Sequence, residues 1–376
     1  MKVLFFIIIF ILLIAVYVVN LPSLGTHPSK KMKTTFHSSK QYNINKGIFE
    51  NRMPNVIAEM KKRSMSFKLI KEWFDGGVDR VPKDLLPEIK PDLKDFLKPS
   101  DKLKTIWFGH STFLINIDGK IILIDPVFGK SAAPVSFIVK RFQKPVLELH
   151  ELPKIDYILI SHDHYDHLDI TSIKYFVDKK TEFITPLGVG SHLIGWGIQK
   201  ERITEKDWWD IATFDGVKFI ATPAQHFSGR DGIHGNETLW ASWVIQSKNH
   251  NIYFSGDSGY DSHFKEIGNK YGPFDVAFLE SGQYNENWKE VHMLPREGIQ
   301  AFKDLKAKKY FPVHWGMFEL ALHSWYEPIE KIYKLSKENK IELIAPMLGQ
   351  IVTIDNTFNI IEWWKNRKSE VLNEKM

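Results

Sequence analysis

The chemistry-bearing side chains are concentrated in the middle of the chain. Ser161 to Asp169 reads Ser-His-Asp-His-Tyr-Asp-His-Leu-Asp, so that His162, His164, Asp166 and His167 form a His-x-His-x-Asp-His cluster. Imidazoles and a carboxylate crowded this closely cost desolvation energy unless something positive binds them. A metal is the simplest partner. Further His and Asp residues follow turn-forming Gly and Pro at the ends of later apolar runs: His226 in Thr222-Pro-Ala-Gln-His, Asp257 in Ser255-Gly-Asp-Ser-Gly and His314 in Pro312-Val-His-Trp-Gly. Added to the cluster they make five His and two Asp. That is enough for two metals with open positions, and neutral imidazole with carboxylate is a donor set that suits zinc.

The elements that must hold these residues are strands. Ile155 to Ile160 is an apolar run leading straight into the cluster, so its ligands leave a rigid strand end. Asp169 is placed to cap a helix through Phe176, with Ile170, Ile173 and Phe176 on one face. Thr105 to Ile117 and Lys120 to Ile124 predict two strands joined by a hairpin turn at Asp118-Gly119. Val217 to Ala221, Ala241 to Gln246, Asn251 to Phe254, Val276 to Leu279 and Tyr310 to Val313 predict further strands alternating with helices or loops. The pattern is α/β with a mixed sheet.

The 376 residues include no cysteine, which removes disulfides, thiolate ligands and a Cys nucleophile together. The net charge of +5 is uneven: residues 21–72 hold 11 Lys or Arg against 3 Glu, and the remainder after 72 is mildly acidic. That balance argues against nucleic acid as a partner of the globular part. Val3 to Val19 is an unbroken apolar run of 17 residues, about 26 Å as a helix, and is expected to be an uncleaved N-terminal transmembrane helix, with a cleaved signal as the rival. The expected organisation is an anchor over 1–20, a basic linker and extended lead-in over 21–99, either solvated or with its lysines at an anionic lipid surface, and a catalytic domain over 100–365.

The order His-x-His-x-Asp-His, single His, Gly-Asp-Ser-Gly, late His resembles the metallo-β-lactamase fold superfamily. More narrowly, Trp107-Phe-Gly-His-Ser-Thr112, Ile124-Asp-Pro-Val-Phe128, Thr222-Pro-Ala-Gln-His226, Leu239-Trp-Ala-Ser-Trp243, Gly256-Asp-Ser-Gly-Tyr260 and Val313-His-Trp-Gly316 resemble the branch of phospholipases D that hydrolyse N-acylphosphatidylethanolamine. The match runs from roughly Thr105 to Glu327. It implies an αββα sandwich, two mixed β-sheets between helices with the metals at one edge. It also implies that His162, His164 and His226 hold one metal ion, that Asp166, His167 and His314 hold the other, and that Asp257 bridges them. A water shared by two divalent cations, zinc for preference, loses a proton near neutral pH and needs no protein nucleophile.

The implied reaction is hydrolysis of a phospholipid phosphodiester on its head-group side, carried out by a membrane-anchored enzyme. Tyr165 and His292 are candidates to line the pocket and contact substrate. The residue before His292 is Val291, where animal enzymes of the branch carry a polar one. His110 and Asp125 are expected to hydrogen-bond the loops beneath the metals. Lactonases and other phosphodiesterases share the ligand set. A metal-binding module without catalysis is a further alternative, and a serine hydrolase using Ser258 is a distant one, since no Gly-x-Ser-x-Gly elbow surrounds that residue.

Overall fold

The Asp118-Gly119 pair adopts the conformation its residue types favour, with φ of 49° and 79°. Across it Phe113–Ile117 folds back on Lys120–Ile124, with Phe113 opposite Ile124. A computed structural model of the chain describes residues 20–64, 67–77 and 79–365. The apolar run at 3–19 lies outside the described residues, and no described helix is long and apolar enough to cross a membrane.

Two seven-stranded mixed sheets form the body. The first runs Ile351–Thr353, Lys104–Trp107, Phe113–Ile117, Lys120–Ile124, Tyr157–Leu159, Glu182–Pro186, Ile203–Lys206, antiparallel up to Lys120–Ile124 and parallel beyond. The second runs Glu342–Leu343, Lys309–Val313, Val276–Glu280, Asn251–Phe254, Ser242–Gln246, Val217–Thr222, Ile211–Phe214, and its first four strands are parallel. Alternation along the strands explains why the sheets stack. Phe113, Ile115, Ile122 and Ile124 face the second sheet, where Phe113 stacks on Phe278 at 4.4 Å. Leu114, Leu123 and Ile158 face outward and are covered by Ile173, Phe176 and Leu193 of the helices Ile170–Tyr175 and Gly190–Gly195 with their flanks. On the other side the helices His263–Tyr271, Pro295–Asp304 and Glu327–Glu338 pack Phe264, Ile267, Phe302 and Ile332 onto the second sheet. The result is the αββα sandwich.

Two expectations need correction. Thr105 to Ile117 is not one strand: it breaks after Trp107, where Gly109 and His110 take φ of 96° and 52° and drop His110 toward the sheet edge. The basic stretch is not a solvated linker. Within 20–99 the described residues form the helices Lys30–Thr35, Val56–Ser64 and Phe67–Asp75, a short hairpin of Tyr42–Asn43 with Ile48–Phe49, and a helical turn at Leu93–Phe96. Phe36, Phe49, Leu86 and Phe96 are fully buried. Some of its basic residues pair with acids of the body. Lys33 reaches Glu237 at 2.7 Å, Arg52 reaches Glu266 at 2.8 Å and Arg63 pairs with Glu290.

Candidate metal centre

In open parallel sheets ligands collect beyond the carboxyl ends of the strands, where loops can converge on a rigid edge. Here Tyr157–Leu159 leads to His162, Asn251–Phe254 to Asp257, Val276–Glu280 ends on Glu280 itself, and Lys309–Val313 is followed at once by His314. The antiparallel strand Val217–Thr222 delivers His226 to the same edge. His110, Asp125 and His314 hold φ of 52°, 39° and 66°, a region that non-glycine residues occupy only when the surroundings impose it, and such strain gathers at functional sites.

His162, His164 and His226 bring one nitrogen each to within 4.8 Å of one another. Their tautomers follow from the outer hydrogen bonds. Ser161 Oγ donates to Asp125 at 2.6 Å, so at 2.9 Å it accepts from His162 Nδ1 and leaves His162 Nε2 without a proton. His226 Nδ1 donates to Val291 O at 3.0 Å, which leaves its Nε2 bare as well. Both bare nitrogens point at His164 Nδ1, 2.9 and 3.2 Å away. One N–H cannot satisfy two lone pairs. A cation among the three nitrogens would, and outward N–H groups held by oxygen are how metal-binding imidazoles are fixed.

The second group is His110, Asp166, His167 and His314, all buried. His110 Nε2 lies 2.7 Å from Asp166 Oδ2, and His167 Nδ1 donates to Asp125 at 2.7 Å. Between the groups sits Asp257, with Oδ2 at 3.8, 3.2 and 3.7 Å from His162, His167 and His226, and Oδ1 at 3.1 Å from His314. Among the buried atoms of these groups, His110 Nδ1, His167 Nε2 and Asp257 Oδ1 have no hydrogen-bond partner. An unpartnered buried polar atom costs about 1–3 kcal/mol, so several of them within one His/Asp cluster mark a place built for an ion. The electrostatics agree. Burial, then neighbouring imidazoles, hold His162, His226 and His314 well below the ordinary histidine value, in the neutral form that binds metal. Burial also pushes Asp257 up to about 7. Burial works against charge on His167 too, yet the surrounding Asp257, Asp166 and Asp125 carboxylates outweigh it and hold its value well above normal. The cluster therefore attracts positive charge.

His164, Tyr165, Asp166, His226, Asp257, His292 and His314 line one cavity of about 410 Å³, with Trp73, Phe227, Trp288 and Leu320 as its apolar wall. A larger hollow of about 630 Å³ beside Arg296, Lys331 and Lys334 contains none of the clustered His and Asp ligands. The Tyr165 hydroxyl donates to Arg230 O at 2.6 Å while its ring lies 4.0 Å from the Arg230 guanidinium. His292 Nδ1 is 2.7 Å from Glu280 Oε2, and its ring stacks on His314 at 5.2 Å. Asp125 and His110 sit beneath the ligands. Ser258 is buried, accepts from Gln225 N at 2.9 Å and donates to Gly259 O at 2.7 Å. His263 lies 3.3 Å from it, but Ser258 lines none of the described cavities and so offers no nucleophile to a substrate.

Sequence reasoning missed three participants. Glu280, 1% exposed, accepts from Met293 N at 2.6 Å as well as facing His292. Its signal was a lone acid ending the apolar run Val276 to Leu279, the same signature that exposed the other strand-end ligands. Asn51, in the supposed linker, clamps the backbone of His226 through both ends of its amide, at 2.8 and 3.1 Å. Arg230 donates to Asp163 O and, at 2.9 Å, to Leu168 O, bracing the ligand loop. Neither left a local signal.

A model described as a beta-lactamase superfamily domain matches residues 120–315. The chain belongs to the metallo-β-lactamase superfamily. It is a metal-dependent hydrolase of that fold. An uncharacterized protein of Mycobacterium tuberculosis is 39% identical over 333 residues, 87% of the hydrolase and 88% of the relative. The N-acyl-phosphatidylethanolamine-hydrolyzing phospholipase D 1 of Caenorhabditis elegans is 33% identical over 68% of the hydrolase and 76% of its own length. Among solved structures, Igni18, a metallo hydrolase of Ignicoccus hospitalis, aligns with a TM-score of 0.51 and 22% identity over 67% of the hydrolase and 97% of its own chain, a likeness of fold.

Proposed function

We propose that this hydrolase is a membrane-associated phosphodiesterase of the phospholipase D type, acting on lipids like N-acylphosphatidylethanolamine with two divalent ions, zinc for preference. The observation that carries the reading is the position of Asp257 between two donor groups at the floor of a cavity whose wall is apolar. His162, His164 and His226 would hold one ion, Asp166, His167 and His314 the other, with Asp257 shared. When bound, such a pair supplies Lewis acidity toward a phosphoryl oxygen and an activated water.

The chain's own residues do the rest. Asp125, Ser161 and Val291 O fix the imidazole tautomers, so that bare nitrogens face inward. His292, held by Glu280, presents its other nitrogen to the cavity and is suited to contact the substrate phosphate or move a proton at it. Tyr165 spends its hydroxyl on Arg230 O and offers its ring as wall. A lipid substrate fits the surroundings. Trp73 and Ala132 line the cavity, and close to each in the chain stand exposed apolar side chains, Phe74 and Phe137. The 33% identical nematode phospholipase D and the apolar run at 3–19, read as a single-pass anchor, support the same reading. Residues 100–365 would then carry the chemistry and the preceding segment would close one wall.

The test is hydrolysis of N-acylphosphatidylethanolamine in mixed micelles by the detergent-solubilised protein, with phosphatidylcholine and a homoserine lactone in parallel and metal content measured on the same sample. Release of N-acylethanolamine that is lost in Asp257→Asn and after chelation supports the proposal. About two bound ions with turnover of the lactone alone would overturn the lipid assignment and leave the metal centre standing.

A further inference from the structure

Away from this centre, His27, Asp231 and His234 bring one ligand atom each to within 4.8 Å of one another. Asp231 Oδ2 is 3.0 Å from His27 Nε2 and 2.5 Å from His234 Nδ1, and the two rings are 4.3 Å apart. The loop is preset for this. Asp231 Oδ1 accepts the amides of Ile233 and His234, each at 2.8 Å, which turns the chain and brings His234 onto the remaining oxygen. A carboxylate also stands on the far side of His27. Glu237 Oε2 lies 3.6 Å from its Nδ1, and Glu237 is itself held by Lys33 at 2.7 Å. At that distance the carboxylate is an electrostatic neighbour of the far nitrogen rather than its hydrogen-bond acceptor, and it favours positive charge at His27. His234 is exposed and His27 partly so, which gives an ion a path in.

We infer that His27, Asp231 and His234 bind one further divalent cation of the zinc class, separate from the catalytic centre. Two imidazoles with one carboxylate favour a borderline first-row ion over calcium or magnesium, which prefer all-oxygen shells. The site joins two parts of the chain. His27 belongs to the N-terminal segment, whereas Asp231 and His234 lie on the loop that brings Phe227 to the cavity and Arg230 against Tyr165. Next to His27, Thr26 N donates to His192 Nδ1 at 3.0 Å, and His192 Nε2 lies 3.2 Å from Asp163, between the ligands His162 and His164. An ion here clips the N-terminal segment onto the wall of the catalytic cavity.

The test compares the full-length, detergent-solubilised protein with His234→Ala and His27→Ala after equilibration with excess Zn²⁺ and desalting. Each variant is expected to lose one equivalent of zinc relative to the wild type, whatever number the catalytic centre holds. Zinc is also expected to slow tryptic cleavage after Lys30 and Lys31 in the wild type, with that protection lost in both variants. Equal zinc content in all three proteins overturns the site. Loss of an equivalent with unchanged cleavage overturns the clip. The two substitutions lie on different segments, so a folding defect in one leaves the other as the test.

Discussion

Replacing Asp125 by Asn should weaken metal binding without touching a ligand. The Asp125 carboxylate accepts three hydrogen bonds: Oδ1 from Ser161 N at 2.7 Å, and Oδ2 from Ser161 Oγ at 2.6 Å and His167 Nδ1 at 2.7 Å. Asn keeps the shape and tolerates the φ of 39° that this position requires, so the backbone is not the variable. The amide NH₂ must replace one oxygen. Placed at Oδ2, it faces the His167 Nδ1–H and drives that proton to Nε2, the atom aimed at Asp166 and Asp257 at 3.3 and 3.2 Å. Placed at Oδ1, it confronts the Ser161 N–H in a fully buried site. Either way a charge-assisted bond of about 1.5–3 kcal/mol is lost. Outer-shell partners of this kind are worth about 10–100-fold in metal affinity, or about 1.4–2.8 kcal/mol, so the two ranges agree. The assay is metal retention against a graded chelator, with hydrolysis at saturating metal and a urea midpoint on the same preparation. Ser161→Ala, which leaves the His167 bond in place, should weaken retention less. Wild-type retention in Asp125→Asn with an unchanged urea midpoint would refute the tautomer argument and reduce Asp125 to a loop tie.

Other outcomes follow from the same geometry. Burial pushes the Glu280 carboxyl well above the ordinary glutamate value, so Glu280→Gln keeps the shape beside His292 and exchanges only a carboxyl oxygen for an amide NH₂ that faces His292 Nδ1; it should lower kcat by about tenfold or more with metal content unchanged, and loss of metal instead would make Glu280 a ligand. A Cβ at Gly259 would overlap the Glu290 carbonyl, so Gly259→Ala should displace the 290–292 segment and lower both activity and thermal midpoint, and an unchanged midpoint would contradict the close approach. Phe113→Ala empties a fully buried position between the sheets and should cost about 3–5 kcal/mol in urea unfolding. Burial holds His192 and His263 below the ordinary histidine value in the folded state, so the unfolded chain takes up their protons first. Their contribution is therefore full above a pH of about 6.5 and declines as pH falls below it, by at most about 1.4 kcal/mol per pH unit for each. A urea midpoint unchanged between neutral and mildly acidic pH would exclude that sign.

The sequence by itself determined what depends on close spacing. His162, His164, Asp166 and His167 were legible as donors because six residues at one strand end must share a site. The Asp118-Gly119 hairpin and the Asp169 cap were legible for the same local reason: Asp169 accepts from Thr171 N and Ser172 N just as its position predicts. Strand-end turns rich in Gly and Pro marked His226, Asp257 and His314, although only the converging sheets bring them within reach of the cluster.

Tertiary structure decided everything whose partner lies far along the chain. Phe36 and Phe49 are too sparse to show a period, so the segment read as a linker until the body supplied Asn236 O for the Phe49 amide and acids for Lys33 and Arg52. Asn51 is an ordinary surface residue by sequence and becomes a clamp only because His226, 175 positions away, arrives beside it. Asp125 before Pro126 is legible as a group that hydrogen-bonds a loop beneath the metals, but which imidazole it holds rests on His167 reaching its second oxygen. Local propensity is read over a few residues, whereas a buried carboxylate or imidazole takes its tautomer, charge and role from whatever the fold packs against it.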